Sequence, residues 1–558
     1  MRRGEDWVSH GEERVGRGEE WSRAGWRAHL PGVSDPGALA VRLGAETITE
    51  LAEVSARRCG DRLAVAVDGE GVTHARLGAG GARAAAWLAG RIEPGDRVLL
   101  AAGTSLGFLR CYLGALRAGA VVVLANPAGT AAEFRHLVSD SGARMALADP
   151  GPAERLGGML PVVGARDLGG GAASGGAAGG GDQAGARRPR PGDTALLAYT
   201  SGTTGRPKGV PLTHAELVIS IRSAMAAWRW TAGDVLVHAL PLFHQHGLGG
   251  VHATLIAGSS ASLLSRFSAS GLITAVAEAR ATVLFGVPTI YQALADAVLP
   301  QDPVLTQDAV IRQDAEAGAL RGLRLAVCGS APLSPELAGR LRRVLGRVPL
   351  VRYGTTESGL DVSNPLADPR GDTVGLPLPG VLARIWSGDA EAPPGTDGEI
   401  QVRGPQVFGG YWRDPEATAA AFTPDGWFGT GDIGRVDPGT GHLVIRGRIK
   451  ELIITGGMNV YPREVELVLE RHPSVAEAVV AGVPHQRWGE RVTAWVVLRP
   501  GHRLDEEALV AHARAVLSPY KCPKRVFELD SLPRNALGKV LRAELAAGTW
   551  PDSVSPSW

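Results

Sequence analysis

Between residues 41 and 447 the sequence switches repeatedly between two hydrophobic periods, and this alternation limits the fold more than any other feature. "ARAAAWLAGRI" and "LGFLRCYLGALRAG" carry apolar residues at helical spacing, whereas "DRVLLAAG" and "VVVLANP" are short apolar runs of strand length. Helix and strand patterns in alternation predict an α/β domain. The texture changes over 448–547. There "PREVELVLERH" sets Val465, Val468 and Leu469 at helical spacing behind Pro462, and "AEAVVAGVP" and "VTAWVVLRP" are β-rich runs. A smaller α+β domain is expected there. Residues 1–40 are charged and without clear periodicity, and are expected to form a disordered extension. The Gly/Ala tract at 168–190 reads as a low-complexity insertion, and 548–558 as a tail.

Composition narrows the function classes. The 558-residue chain is 44% hydrophobic and 21% charged with a net charge of +1, so no electrostatic argument favours nucleic acid or an anionic membrane as a partner. The N-terminus lacks an apolar targeting core, and the longest apolar stretch is interrupted by Arg110 and Arg117. Cys59, Cys111, Cys328 and Cys522 are widely separated, which argues against a disulfide framework or a thiolate zinc site. A cytoplasmic protein is expected.

The Gly/Ala tract is followed by "LLAYTSGTTGRPKGVPLTH", which is not more spacer. An apolar strand-like run enters it, and a helix start (Thr213, then Glu216) lies just beyond. Gly202 and Gly205 allow backbone N–H groups to turn inward. Ser201, Thr203 and Thr204 add hydroxyls, and Arg206 and Lys208 add positive charge. These are the parts of a polyphosphate cradle, without the spacing of a Walker A loop. His238, His244, His246 and His252 crowd one segment, but no Cys, Asp or Glu lies near enough in sequence to complete a metal site.

The chain resembles the adenylate-forming superfamily of acyl-CoA synthetases, peptide-synthetase adenylation domains and luciferases. "YTSGTTGRPKGV" is similar to its phosphate-loop signature, and "PLFHQHGLG", "YGTTESG", "GWFGTGD", "GRIKELIITGGMNVYPREVE" and "PRNALGK" follow in the family's order. The resemblance implies a large multilayer α/β N-terminal domain over 41–447 and a smaller, mobile α+β C-terminal domain over 448–547. It implies ATP, Mg²⁺ and coenzyme A as cofactor and co-substrates. Thr200, Ser201, Gly202, Thr203, Thr204, Gly205, Lys208, Gly329, Ser330, Tyr353, Asp432 and Arg448 would bind the nucleotide. Glu357 would hold Mg²⁺, Thr356 would meet the α-phosphate, and His244 would gate the acyl pocket. Lys539 would neutralise charge building in the adenylation transition state. Lys450 would be the hinge, and Gly456 and Gly457 would leave room for the pantetheine arm as the small domain changes faces.

The segments around the acyl site look most like malonyl-CoA and methylmalonyl-CoA synthetases. A buried second carboxylate needs a cation, for which Arg324 is the first candidate and Arg266 the second. Asp361 departs from the asparagine that malonate-using members tend to carry, and an acid facing the pocket would repel a dicarboxylate. The leading expectation is an ATP-dependent carboxylate–CoA ligase acting through an acyl-AMP intermediate on a small acid such as malonate or methylmalonate. Another short fatty or aromatic acid, an acyl carrier protein as acceptor, and a degenerate adenylate-binding scaffold remain as alternatives.

Overall fold

The computed structural model describes residues 16–30, 44, 46–168, 188–200, 207–299, 317–534 and 539–548. Contacts divide the chain into two compact units. The larger comprises Met1–Arg384, Gln401–Thr430 and Asp437–Leu443; the smaller comprises Ile385–Ile400, Gly431–Val436 and Val444–Trp558. This division is more interleaved than a single boundary at 447/448, and it assigns Asp432 to the smaller unit.

Two sheets lie wholly within the larger unit. One has six strands in the order Val162–Gly164, Met145–Ala148, Arg97–Ala101, Val121–Leu124, Thr194–Thr200, Lys208–Thr213. All neighbours pair in parallel except the last two strands, which are antiparallel. Leu99, Ala101, Val123, Ala146, Ala148 and Leu197 pack with Phe134 in the core on one face. Unbroken apolar runs such as Val121–Leu124 are buried throughout, as strands covered on both faces require.

The second sheet has nine strands. Six of them run parallel in the order Leu63–Val67, Ser260–Leu263, Val235–His238, Val283–Gly286, Leu325–Cys328, Leu350–Tyr353. Antiparallel strands Glu70–Thr73 and Val362–Ser363 flank them, and Leu376–Pro377 lies beyond the latter. Parallel strands deliver the loops that follow them to one edge of the sheet, where α/β proteins bind ligands. Here that edge receives the segments beginning at Gly329, at Gly354 and just after His238.

The helix start foreseen at Thr213 is present. Thr213 accepts from the Glu216 amide and Glu216 caps the Thr213 amide, opening helix His214–Ala227.

Within the expected disordered extension over 1–40, residues 17–29 require correction, while 1–15 and 31–40 lie outside the described residues. Arg17–His29 is a helix, and its buried stripe of Gly18, Ser22, Gly25, Trp26 and His29 packs against the rest of the larger unit. Trp26 sits against Leu382 and Trp427 and donates from Nε1 to the Val381 carbonyl at 2.9 Å. Ser22 Oγ accepts from the Ala383 amide. Gly18 approaches so closely that a Cβ there would come within 2.6 Å of Arg384 Cβ. Residues 169–187 of the low-complexity tract and 549–558 of the tail lie outside the described residues.

In the smaller unit, strands Met458–Val460, Ile453–Thr455, Gly489–Leu498 and Val475–His485 form a sheet, with Arg525–Glu528 added in parallel on Gly489–Leu498. Helix Pro462–Leu469 has Pro462 in its first turn and buries Val465, Val468 and Leu469, the three positions its periodicity singled out.

Candidate active site

Thr200 and Lys208 face each other across the antiparallel pair, closing the mouth of the glycine-rich loop. Ser201, Gly202, Thr203, Thr204 and Gly205 themselves lie outside the described residues. The Lys208 ammonium stands 4.7 Å from the ring centroid of Tyr411, and the Tyr411 hydroxyl donates to Glu357 Oε1 at 3.0 Å. Burial, reinforced by Glu357, pushes the Tyr411 phenol up, so it remains a proton donor. The Tyr411 bond engages only one of the two Glu357 carboxylate oxygens. A single carboxylate accompanied by substrate phosphates suits Mg²⁺, so Glu357 fits the metal the resemblance implies. When bound, Mg²⁺ would neutralise charge on the ATP phosphates.

The loop carrying Glu357 turns sharply. A Cβ on Gly354 would come within 1.9 Å of the Gly359 carbonyl oxygen, so the turn admits only glycine there. The Thr356 carbonyl accepts from Gln245 Nε2 at 3.0 Å, tying this loop to the histidine segment. Phe408 N–H donates to the Glu357 carbonyl at 2.8 Å.

The same sheet edge carries Arg352, a cation not among the residues singled out from the sequence. Arg352 precedes Tyr353 on strand Leu350–Tyr353, and alternation along a strand sends the two side chains to opposite faces. The Arg352 guanidinium lies beside Gly329: a Cβ added there would fall 2.5 Å from its Nε. That Nε is shielded from solvent and has no hydrogen-bond partner. Burial pushes the Arg352 pKa down to about 10, still charged at neutral pH, while Cys328 and Asp361 favour the charge. Next to it His246 Nδ1 meets Ser330 Oγ at 3.3 Å, and His246 Nε2 is buried without a partner. Burial, followed by Arg352 and the neighbouring histidines, holds His246 neutral. Ser330 has φ of 70°, a left-handed conformation uncommon for a non-glycine residue and typical of functional loops. Arg352 Nε and His246 Nε2 thus both lack a hydrogen-bond partner among the described residues.

His244 occupies the N-cap position of helix Gln245–Ala257 without a side-chain capping bond, and its ring is 4.4 Å from that of Phe243; burial lowers its pKa to about 4, so it is neutral. The four histidines do not converge: His252 bonds to the Tyr112 hydroxyl at 2.8 Å, and His238 accepts from the Leu240 amide.

Three acyl-pocket expectations need correction. Arg324 sits at the N-terminal end of strand Leu325–Cys328, opposite the end leading to Gly329 and Ser330. There it forms two 2.6 Å bonds to Asp234 and also binds the Trp228 carbonyl. Asp234 is buried; burial opposes its charge, but bonds from Arg324, the Thr231 amide and Thr282 hold it below the usual carboxylate range. Arg324 is therefore committed to a structural pair. Arg266 is exposed in the loop after Ser260–Leu263 and cannot form a pocket floor. Asp361 is fully buried, with Oδ2 accepting from Ser358 Oγ at 2.5 Å and Oδ1 from Gln406 Nε2 at 3.1 Å. It braces the Glu357 loop, and burial raises its pKa to about 7.

In the smaller unit Asp432, 3% exposed, pairs with Arg448 at 2.8 Å. Lys539 is half-buried; burial and then Arg448 lower its pKa, against Glu451 and Asp432. Lys450 is exposed in the short 3₁₀ turn Ile449–Glu451. Gly456 and Gly457 form the two-residue turn between Ile453–Thr455 and Met458–Val460, with φ of 58° and 80°. Their backbone demands glycine for conformation, as a type I′ hairpin turn does, while no neighbour lies within 4 Å of an added Cβ at either.

This architecture matches known proteins. The AMP-binding enzyme family model matches residues 52–412, and the AMP-binding enzyme C-terminal domain model matches 464–539. The chain belongs to the AMP-binding enzyme family and has the adenylate-forming fold. It is 36% identical to an oxalate–CoA ligase of Arabidopsis thaliana over 90% of this chain and 99% of that protein. It is 35% identical to a malonate–CoA ligase of Arabidopsis thaliana over 81% and 78% of the two chains. Against a feruloyl-CoA synthase of an Amycolatopsis species the identity is 37% over 86% and 95%. The crystal structure of ATP-bound MatB from Rhodopseudomonas palustris superposes with a TM-score of 0.79 at 36% identity, covering 90% of this chain and 98% of that one. The protein is an AMP-forming acid–CoA ligase, for which a carboxylic acid, ATP and coenzyme A are the substrates. No helix among the described residues is long and apolar enough to cross a membrane.

Proposed function

We propose that the acid is a small dicarboxylate of the malonate type. The observation that carries this reading is Arg352: a guanidinium whose Nε is shielded from water and has no hydrogen-bond partner among the described residues. Leaving a buried N–H donor without an acceptor is costly, and an anionic ligand that accepts from it removes the cost. His246 Nε2 and the Ser330 hydroxyl offer polar partners to the same group. Malonate and oxalate carry the second carboxylate that Arg352 needs; ferulate does not.

In this reading Lys208 and the glycine-rich loop hold the phosphates, with Glu357 as the Mg²⁺ ligand. One carboxylate oxygen of the acid attacks the α-phosphorus, the bond to the bridging oxygen breaks, and pyrophosphate leaves. The resemblance implies that Lys539 offsets the negative charge that builds during this step and that Asp432 receives the ribose hydroxyls. The CoA sulfur then attacks the acyl carbon and AMP departs. Arg352 takes part in neither bond change; it fixes the distal carboxylate so that the reacting one presents its oxygen.

The experiment is a pyrophosphate-release screen of the full chain with ATP and CoA, across malonate, methylmalonate, oxalate, butyrate and ferulate. The reading expects malonate or methylmalonate to give the highest kcat/KM. A higher value for butyrate or ferulate would overturn it.

A further inference from the structure

Residues Phe408–Trp412 run between the two parts of the adenylation site and are bonded to both. At one end Phe408 N–H donates to the Glu357 carbonyl; at the other Trp412 N–H donates to the Gly209 carbonyl at 2.8 Å, beside Lys208. Between them, Gly410 has φ of 134°, and a Cβ there would come within 2.5 Å of Thr418 Cγ2. The next residue, Tyr411, is fixed by its own amide, which donates to Thr418 Oγ1 at 2.9 Å, and by an edge-on ring contact with Phe408 at 4.9 Å. Its ring is thus held under the Lys208 ammonium while its hydroxyl reaches Glu357 Oε1.

We infer that Tyr411 is a positioning residue for ATP: its hydroxyl aims the Glu357 carboxylate at the metal, and its ring seats the Lys208 ammonium for the phosphates. The two halves of the residue act separately. A hydrogen bond to one carboxylate oxygen fixes the plane of the carboxylate and leaves the other oxygen pointing along a defined line. A cation over a ring keeps its freedom to donate to phosphate while losing the freedom to wander. Neither role depends on which acid is activated, so failure of the dicarboxylate reading would leave this one standing.

The test uses the full chain and reads binding as well as turnover. Free Mn²⁺ is followed by electron paramagnetic resonance in the presence of ATP, and metal-free ATP binding is followed by calorimetry in EDTA. Tyr411→Phe keeps the ring and removes the hydroxyl; it is expected to weaken Mn²⁺ retention about tenfold, raise the apparent KM for Mg²⁺ similarly, and leave metal-free ATP binding within twofold. Tyr411→Leu removes the ring as well and is expected to weaken metal-free ATP binding severalfold beyond Tyr411→Phe. On a Glu357→Gln background, Tyr411→Phe is expected to change Mn²⁺ retention no further. Mn²⁺ retention within twofold of the parent in Tyr411→Phe, or an undiminished Tyr411→Phe effect on the Glu357→Gln background, overturns the hydroxyl role. Equal metal-free ATP affinities for the Phe and Leu variants overturn the ring role. Should the Leu variant fail to fold, Tyr411→Trp, which keeps an aromatic face, is expected to bind metal-free ATP like Tyr411→Phe; a severalfold weaker value counts against the ring role.

Discussion

Asp361 and Arg324 show how much a charged residue's meaning depends on its immediate partners. Asp361 is buried beside Glu357, which disfavours its charge, and Arg352, which favours it; Ser358 and Gln406 supply its hydrogen bonds. Its folded pKa of about 7 lies above that of an unfolded aspartate, about 3.9. The folded state therefore binds the proton more tightly, and the contribution to stability is fully present below pH 4 and is lost as pH rises to about 7. Asp361→Asn keeps the shape and cannot titrate. Its unfolding free energy relative to the parent should rise steadily between about pH 4 and 7 and level off above. Denaturant titrations at several pH values would show this, and a pH-independent difference would contradict it. Arg324→Ala would instead leave buried Asp234 without its main partner. It should cost about 3 kcal/mol of stability, and malonate and butyrate kcat/KM should fall by the same factor in folded enzyme. A selective loss for malonate would return Arg324 to the acyl site.

Arg352 was legible in principle. The strand-period rule sets it on the face opposite Tyr353, and the rule that parallel sheets bind ligands beyond their C-terminal ends points from "LRLAVCGS" to Gly329 and away from Arg324. What the sequence could not reveal is that Asp234, 90 residues away, already holds Arg324.

Elements were legible where a local rule decides them. Thr213 with Glu216, and Pro462 ahead of its apolar stripe, mark helix starts by hydrogen-bonding chemistry confined to one turn. Helix Arg17–His29 was missed because its buried stripe is made of Gly18, Ser22, Gly25, Trp26 and His29, with no aliphatic residue to reveal the period. Its attachment lies hundreds of residues away, in the Val381 and Ala383 backbone. If this helix is an integral part of the larger unit, Trp26→Ala should destabilise it by about 3 kcal/mol and open Arg17–His29 to proteolysis before the rest of the chain. An unchanged unfolding midpoint and cleavage pattern would mean the helix adds nothing to stability.

At the scale of the whole molecule, six parallel strands bring distant segments of sequence to one sheet edge. Gly329 and Ser330, the Glu357 loop and the His244–His246 segment meet there, and Arg352 lies beneath them. The family signatures made this assembly foreseeable as a nucleotide site. The acid was not foreseeable, because the proposed dicarboxylate reading rests on which buried atoms lack hydrogen-bond partners once the chain has folded. The most direct test of the account is therefore the ratio of kcat/KM for malonate over butyrate, measured in the parent and in Arg352→Met, which keeps bulk and removes charge. The account predicts that malonate falls about a hundredfold, or about 3 kcal/mol, while butyrate changes less than tenfold, so that the ratio collapses. Equal losses for both acids would contradict it and make Arg352 a structural residue.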